Sequence, residues 1–205
     1  IFVMVMLAIA IVVAGLSAIP QLDIITGNDV DYLHWLREKI APVHHAPETS
    51  HVVVIGADET TFTHPDFKSI PSVMWAPRYA EVQDAVLDAG AKVFGWDIIP
   101  ANTLAKGLLK DRRWDAPLFK SLKRQGQLAG KVVMGKTEFK GSGQVPDRPF
   151  VKQVGGDANI RVLQLGTDPD GVSRSVPLKF DELSKSGEVR LERSMASELV
   201  FRATG

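Results

Sequence analysis

No cysteine occurs anywhere in the 205 residues. That excludes disulfide bridges and thiol catalysis, but it leaves the compartment open, because many bacterial envelope proteins also lack cysteine. Neither sign of charge is in excess: 24 Lys and Arg balance 24 Asp and Glu. The basic footprint expected of a nucleic-acid partner is therefore missing. The chain also has no GxxxxGK[ST] phosphate loop, no GxSxG nucleophile elbow and no DxD after its first internal apolar run. These absences remove the usual signatures of nucleotide hydrolysis and of serine hydrolases. Internal repeats and low-complexity segments are absent too.

Charge is missing locally as well. Ile1 to Ile19, IFVMVMLAIAIVVAGLSAI, carries no charged residue and ends at Pro20. A helix of that length spans roughly 28 Å, close to the hydrocarbon thickness of a bilayer. A cleaved signal peptide has a shorter apolar core and a basic start, and a buried core helix normally keeps a polar face. The expectation is one transmembrane helix over 1–19. The chain opens on an apolar residue and not on methionine, so a basic cytoplasmic segment is expected before it. The orientation cannot be read without that segment.

Residues 20–50 read as a juxtamembrane helix and linker. In DVDYLHWLREKIAP, Val30, Leu33, Trp35, Leu36 and Ile40 form an approximate helical stripe, with Asp29 placed to cap it. His44 and His45 lie between Pro42 and Pro47, with His51 close by. Adjacent side chains on extended chain point in opposite directions, so a solvated linker fits better than a metal site.

From residue 51 onward the pattern is α/β. Val52–Ala57 is continuously apolar, as a strand covered on both faces would be. Pro77 opens a helix in which Val82, Ala85, Val86 and Ala89 recur at helical spacing, and Gly90 stops it. KVFGWDIIP is the next strand. Asp115 caps a helix with Leu118, Phe119 and Leu122 on its apolar face, and KVVMGK is a third strand. Strand and helix in alternation argue for parallel pairing. Residues 137–160 read as a long loop. RVLQLGT and GVSRSVPLKF, joined by Asp168–Gly171, read as a β-hairpin, and Ser194 caps a final helix. The expected architecture is a mixed sheet with a parallel strand–helix–strand core and a C-terminal antiparallel hairpin, preceded by one transmembrane helix. The α/β domain occupies 51–205.

Two acids stand out, Asp58 and Asp97, each at the end of an apolar run. On neighbouring strands they would lie roughly 5 Å apart at the carboxyl edge of the sheet, where open α/β folds place ligands. They could pin loops through backbone N–H groups, contact a ligand or Mg²⁺, or serve in catalysis. The chain supplies no nucleophile or phosphate cradle to go with them, so no catalytic residue, metal ligand or cofactor is assigned.

In order and spacing, VVVIGADETT, WAPRYAEVQDAVLDAGAKVFGWDIIP and TDPDGVSRSVPL resemble the second class of CHASE domains, extracytoplasmic sensors of cyclases and histidine kinases. The resemblance covers roughly residues 20–205. It falls on Asp58, Glu59 and Thr60, then on Trp75, Pro77 and Arg78. It continues through Gly90, Ala91, Gly95 and Asp97, and ends on Asp170, Gly171, Arg174, Pro177 and Leu178. Ala76 replaces a proline usual in that family, and Thr60 or Thr61 stands where serine is common.

The resemblance implies a sensor domain with no catalysis of its own, held at the inner membrane and facing the periplasm or the exterior. Further membrane helices would lead to a cytoplasmic output such as an adenylate cyclase or a histidine kinase. The implied partners are the membrane, a second copy in a homodimer touching along 29–41, and an unknown small-molecule or protein signal. The candidate ligand contacts are Asp58, Glu59, Thr60, Trp75, Arg78, Asp97 and Arg174, roofed by residues 137–160. Arg78 and Arg174 would be countercharges to the acids or to an anionic ligand. A structural or assembly module of the envelope is the alternative, and a metal-dependent phosphohydrolase a more distant one.

Overall fold

The computed structural model describes residues 4–7, 11–12, 15, 23–42, 50–104, 113–137, 143–168, 171–183 and 189–205. The chain divides into two compact units: Ile1–Ile55 with Leu165–Val176, and Gly56–Gln164 with Pro177–Gly205.

In the first unit, α1 spans Asp23–Ile40, with Arg37 and Lys39 in its last turn, where the helix dipole favours cations. It begins earlier than the sequence suggests, so Asp29 lies inside the helix and does not cap it. Residues 165–176 reverse direction. Gly166 bridges Ser175 antiparallel, the Gly171 amide donates to the Asp168 carbonyl at 2.9 Å, and Gly171 takes a φ of 84° that favours glycine. Arg174 ties this reversal to α1. Its guanidinium donates to both Asp31 oxygens, at 2.9 and 2.6 Å, and to Asp168 at 2.9 Å.

The second unit is built on a parallel sheet in the order β1-β2-β3, made of Phe94–Trp96, Val132–Lys136 and Ile160–Val162. Phe94 faces Val132 and Met134 faces Ile160 in register. The helices are α2 (Glu59–Thr63), α3 (Ala76–Asp88), α4 (Ala116–Ser121), α5 (Arg148–Val154) and α6 (Met195–Thr204). A wide π-type turn, Leu122–Leu128, continues α4. Antiparallel strands β4 (Lys179–Leu183) and β5 (Val189–Arg193) form a hairpin whose end runs through Ser194 into α6.

Val132, Val133 and Met134 are all within 2 % of full burial. Successive strand residues point to opposite faces, so β2 is covered on both. Trp96, Val132, Met134 and Ile160 share one core with Ala76, Ala80 and Leu87 of α3, Leu118 and Leu122, and Phe150 and Val154 of α5. The opposite face meets α6: a methyl group on Gly95 would come within 2.8 Å of Leu199 and Met195.

The structure differs from the sequence reading at several elements. Val52–Ala57 lies outside every strand, and Val52, Val53, Val54 and Ile55 are exposed. An unbroken apolar run specifies no face and becomes a strand only when a partner takes its backbone groups. Residues 137–160 are not one long loop. Asp147 caps α5, Pro149 sits in its first turn, and Gly155 ends it at φ 109°. The proline and glycines that suggest a loop punctuate a helix instead. The antiparallel hairpin exists, but it is β4–β5. The reversal at 165–176 keeps one antiparallel bridge, and Ile160–Val162 pairs parallel with β2.

In α3 the buried face is Ala76, Ala80, Gln83 and Leu87, whereas Val82, Ala85 and Ala89 are exposed. Asp115 stands at the start of α4 without capping it through its side chain. Of the expected membrane helix, residues 4–7, 11–12 and 15 are described, each helical. Among the described residues no helix is long and apolar enough to cross a membrane. The rest of 1–19, His44 and His45, and Asp170 lie outside the described residues.

Candidate functional site

Asp58 begins the site as a helix cap. Its Oδ1 accepts the Thr61 amide at 2.9 Å and the Thr61 hydroxyl at 3.0 Å, and the Asp58 amide donates back to Thr61 Oγ1 at 3.3 Å. This reciprocal capping box starts α2. The Thr61 amide first, then its hydroxyl, holds the Asp58 carboxyl below the usual carboxylate range. Glu59 opens the helix, and the Thr60 carbonyl accepts the His64 amide at 3.0 Å. Thr61, which answers Asp58, escapes a search for ligand contacts; its signal is the D-x-x-T spacing of a cap.

Behind α2 runs a file of rings. Phe62 lies 5.0 Å from Trp75 between centroids, Trp75 is 6.3 Å from Tyr79, Tyr79 5.2 Å from Trp96, and Trp96 4.9 Å from Phe94. Phe67 packs edge-on to Trp75 at 4.9 Å. The tilted and edge-on geometries are those that aromatic quadrupoles favour. A single 3₁₀ turn, Ser72–Met74, delivers Trp75 to the start of α3. There its indole N–H donates to the Ile70 carbonyl at 2.9 Å. At the other end of the file, Trp96 Nε1 donates to Gln83 Oε1 at 2.6 Å. Gln83 Nε2 donates to Ser121 Oγ at 2.6 Å, and Ser121 donates to Asp84 at 2.5 Å. This polar chain is why Gln83 faces inward: each buried polar atom in it has a partner.

A cavity of about 340 Å³ opens beside the first turn of α3. Ile70, Met74, Trp75, Pro77 and Trp114 form its apolar wall, and Arg78 and Glu81 complete it. Arg78 donates to Glu81 at 2.9 and 3.2 Å. That hydrogen bond and the Glu81 charge hold the guanidinium above its ordinary pKa. Among the described residues its wall contains no nucleophile beside a base.

Of the seven residues singled out from the sequence, the cavity brings together Trp75 and Arg78. Asp58, Glu59 and Thr60 sit on α2, tied to Trp75 through Phe62. Asp97 is exposed just past Trp96, at the far end of the ring file. Neither acid lines the cavity, and Asp58 does not end a strand beside Asp97. Arg174 belongs to the first unit, where its partners are Asp31 and Asp168. Ile70, Met74, Glu81 and Trp114 are additions from the structure. Only Glu81 had a signal, its i,i+3 spacing from Arg78. Among the described residues no three His, Asp or Glu are grouped to hold a metal ion.

Residues 4–204, nearly the whole chain, match the family described as the CHASE2 domain. No curated protein and no solved structure shows significant similarity to the chain.

Proposed function

We propose that this chain, which belongs to the CHASE2 family of extracellular sensory domains, is the signal-binding part of a membrane receptor. The observation that carries the reading is the family match over nearly the whole chain. The charge-free run 1–19 anchors the protein in the inner membrane. The α/β units stand outside the cytoplasm, and further membrane helices beyond α6 lead to a cytoplasmic output such as an adenylate cyclase or histidine kinase. This region performs no catalysis. A small signal molecule occupies the cavity beside α3 and shifts a two-state equilibrium of the flanking helices. Asp58 organises α2 under that cavity, and Asp97 marks the loop after β1.

The receptor works as a homodimer along α1, a reading supported by the exposure of Tyr32, Leu33, Trp35 and Ile40 on that helix. An envelope assembly module is the second reading, favoured by the exposed Val52–Ile55 run. Alkaline phosphatase fused after Gly205 tests the layout, because that enzyme matures only outside the cytoplasm. An active fusion is expected, together with membrane spans and an output domain encoded downstream. An inactive fusion, or a stop codon directly after codon 205, overturns the receptor reading.

A further inference from the structure

The cavity beside α3 offers no net charge. Its two ionised residues, Arg78 and Glu81, are engaged with each other through contacts of 2.9 and 3.2 Å. Its most buried ring, Trp75, has already given its only polar group, the indole N–H, to the Ile70 carbonyl at 2.9 Å. What remains facing the space is hydrocarbon, thioether and π surface from Ile70, Met74, Trp75, Pro77 and Trp114. An anionic ligand at Arg78 would lie beside the Glu81 carboxylate. A cationic one lies beside Arg78, so the exposed, balanced pair favours neither sign. A flat uncharged ring meets neither cost. It gains ring contact with Trp114 and with the small part of Trp75 left uncovered by Phe62, Phe67 and Tyr79, and Met74 adapts to its outline. The volume, about 340 Å³, lies at the small end of ligand sites and suits one or two fused rings.

We infer that the cavity lined by Trp75, Trp114 and Met74 binds a small, planar, uncharged aromatic molecule. This rests on the sensor reading above and names the class of signal.

Fluorine NMR on the full chain in nanodiscs tests it with three probes: fluoroindole, fluorobenzoate and a fluorophenyl trimethylammonium ion. Fluoroindole is expected to bind saturably and most tightly of the three. Trp114→Ala, which removes a wall, should weaken it about tenfold or more. Ile70→Trp, which fills the space, should weaken it by at least as much, so the result does not depend on one variant folding. Tighter binding of either charged probe overturns the class. So does fluoroindole binding that both variants leave unchanged, or no saturable fluoroindole binding up to ~1 mM. Each of these failures leaves the fusion result untouched, while an inactive fusion removes the receptor reading whatever binds.

Discussion

Gln83 is the residue on which the interior of the second unit turns. It is fully buried, yet it carries two polar atoms that must both be answered. Trp96 donates to one and Ser121 accepts from the other. Replacing Gln83 by methionine keeps the volume but strands the Trp96 indole N–H. Leaving such a donor without a partner costs about 1–3 kcal/mol. Urea unfolding is expected to show that loss, accompanied by a change in tryptophan emission, since Trp96 is the indole released. An unchanged midpoint would mean that the polar chain adds nothing to stability. Hydropathy alone places a glutamine outward, and the network that reverses this lies in residues 38 positions apart. The cap of Asp58 by Thr61 lies three residues away and was open to a local rule.

At the scale of elements, what the sequence shows depends on whether its pattern is local. β2 and α6 were legible, the first from its unbroken apolar run and the second from Ser194, whose hydroxyl accepts the Ser197 amide at 3.2 Å. Val52–Ala57 has the same apolar character as β2 but no ladder, because pairing is a property of two segments. The face of α3 was misjudged for the reason Gln83 gives. Leu87→Ala is therefore expected to cost about 2–5 kcal/mol, against little change for Val82→Lys on the exposed side. Equal losses in thermal unfolding would return the buried face to Val82. Close backbone approach is just as invisible beforehand. A methyl group on Gly126 would meet the Val154 carbonyl oxygen at 2.9 Å and its Cα at 3.1 Å, whereas one on Gly95 meets the movable ends of Leu199 and Met195. Gly126→Ala should thus destabilise by about 1–3 kcal/mol and Gly95→Ala by less. The reverse order in denaturant midpoints would show that α6 is held more rigidly than the contact of the π-type turn with α5. The cavity wall was legible in the same uneven way: Trp75 and Arg78 carry a family pattern, and Trp114 has no local pattern to single it out.

The chain as a whole is neutral, but its charges are not scattered, and a dense group of them gathers around a buried Glu198 where α6 meets the sheet. Glu198 on α6 is 4 % exposed and lies 2.8 Å from Arg202, 3.3 Å from Arg161 on β3 and 3.6 Å from Arg193 on β5. Glu192 beside it pairs with Lys136 of β2 at 2.8 Å and Arg161 at 3.3 Å. Burial pushes the Glu198 carboxyl up, but the hydrogen bonds and charges of Arg202 and Arg161 together outweigh it and hold the group below its ordinary value of 4.5. A carboxyl depressed by folding stabilises the fold above its unfolded pKa, and that share is lost as pH falls through the folded value. Stability is therefore expected to be level near neutrality and to fall in the acid range below 4.5, as Glu198 takes up a proton and loses its ion pairs with Arg202 and Arg161. Glu198→Ala should cost about 1.5–3 kcal/mol at neutral pH, because it removes the charged hydrogen bonds to Arg202 and Arg161, which keep Asn159 and Glu192 as partners. It should also flatten the acid limb, since the titrating group is gone. Denaturant midpoints measured for both proteins from neutral pH down to about pH 3 separate the two effects. A variant that loses stability but keeps the full acid slope would assign that slope to other carboxylates. One that loses neither would show that Glu198 adds nothing to the hold of α6 on the sheet.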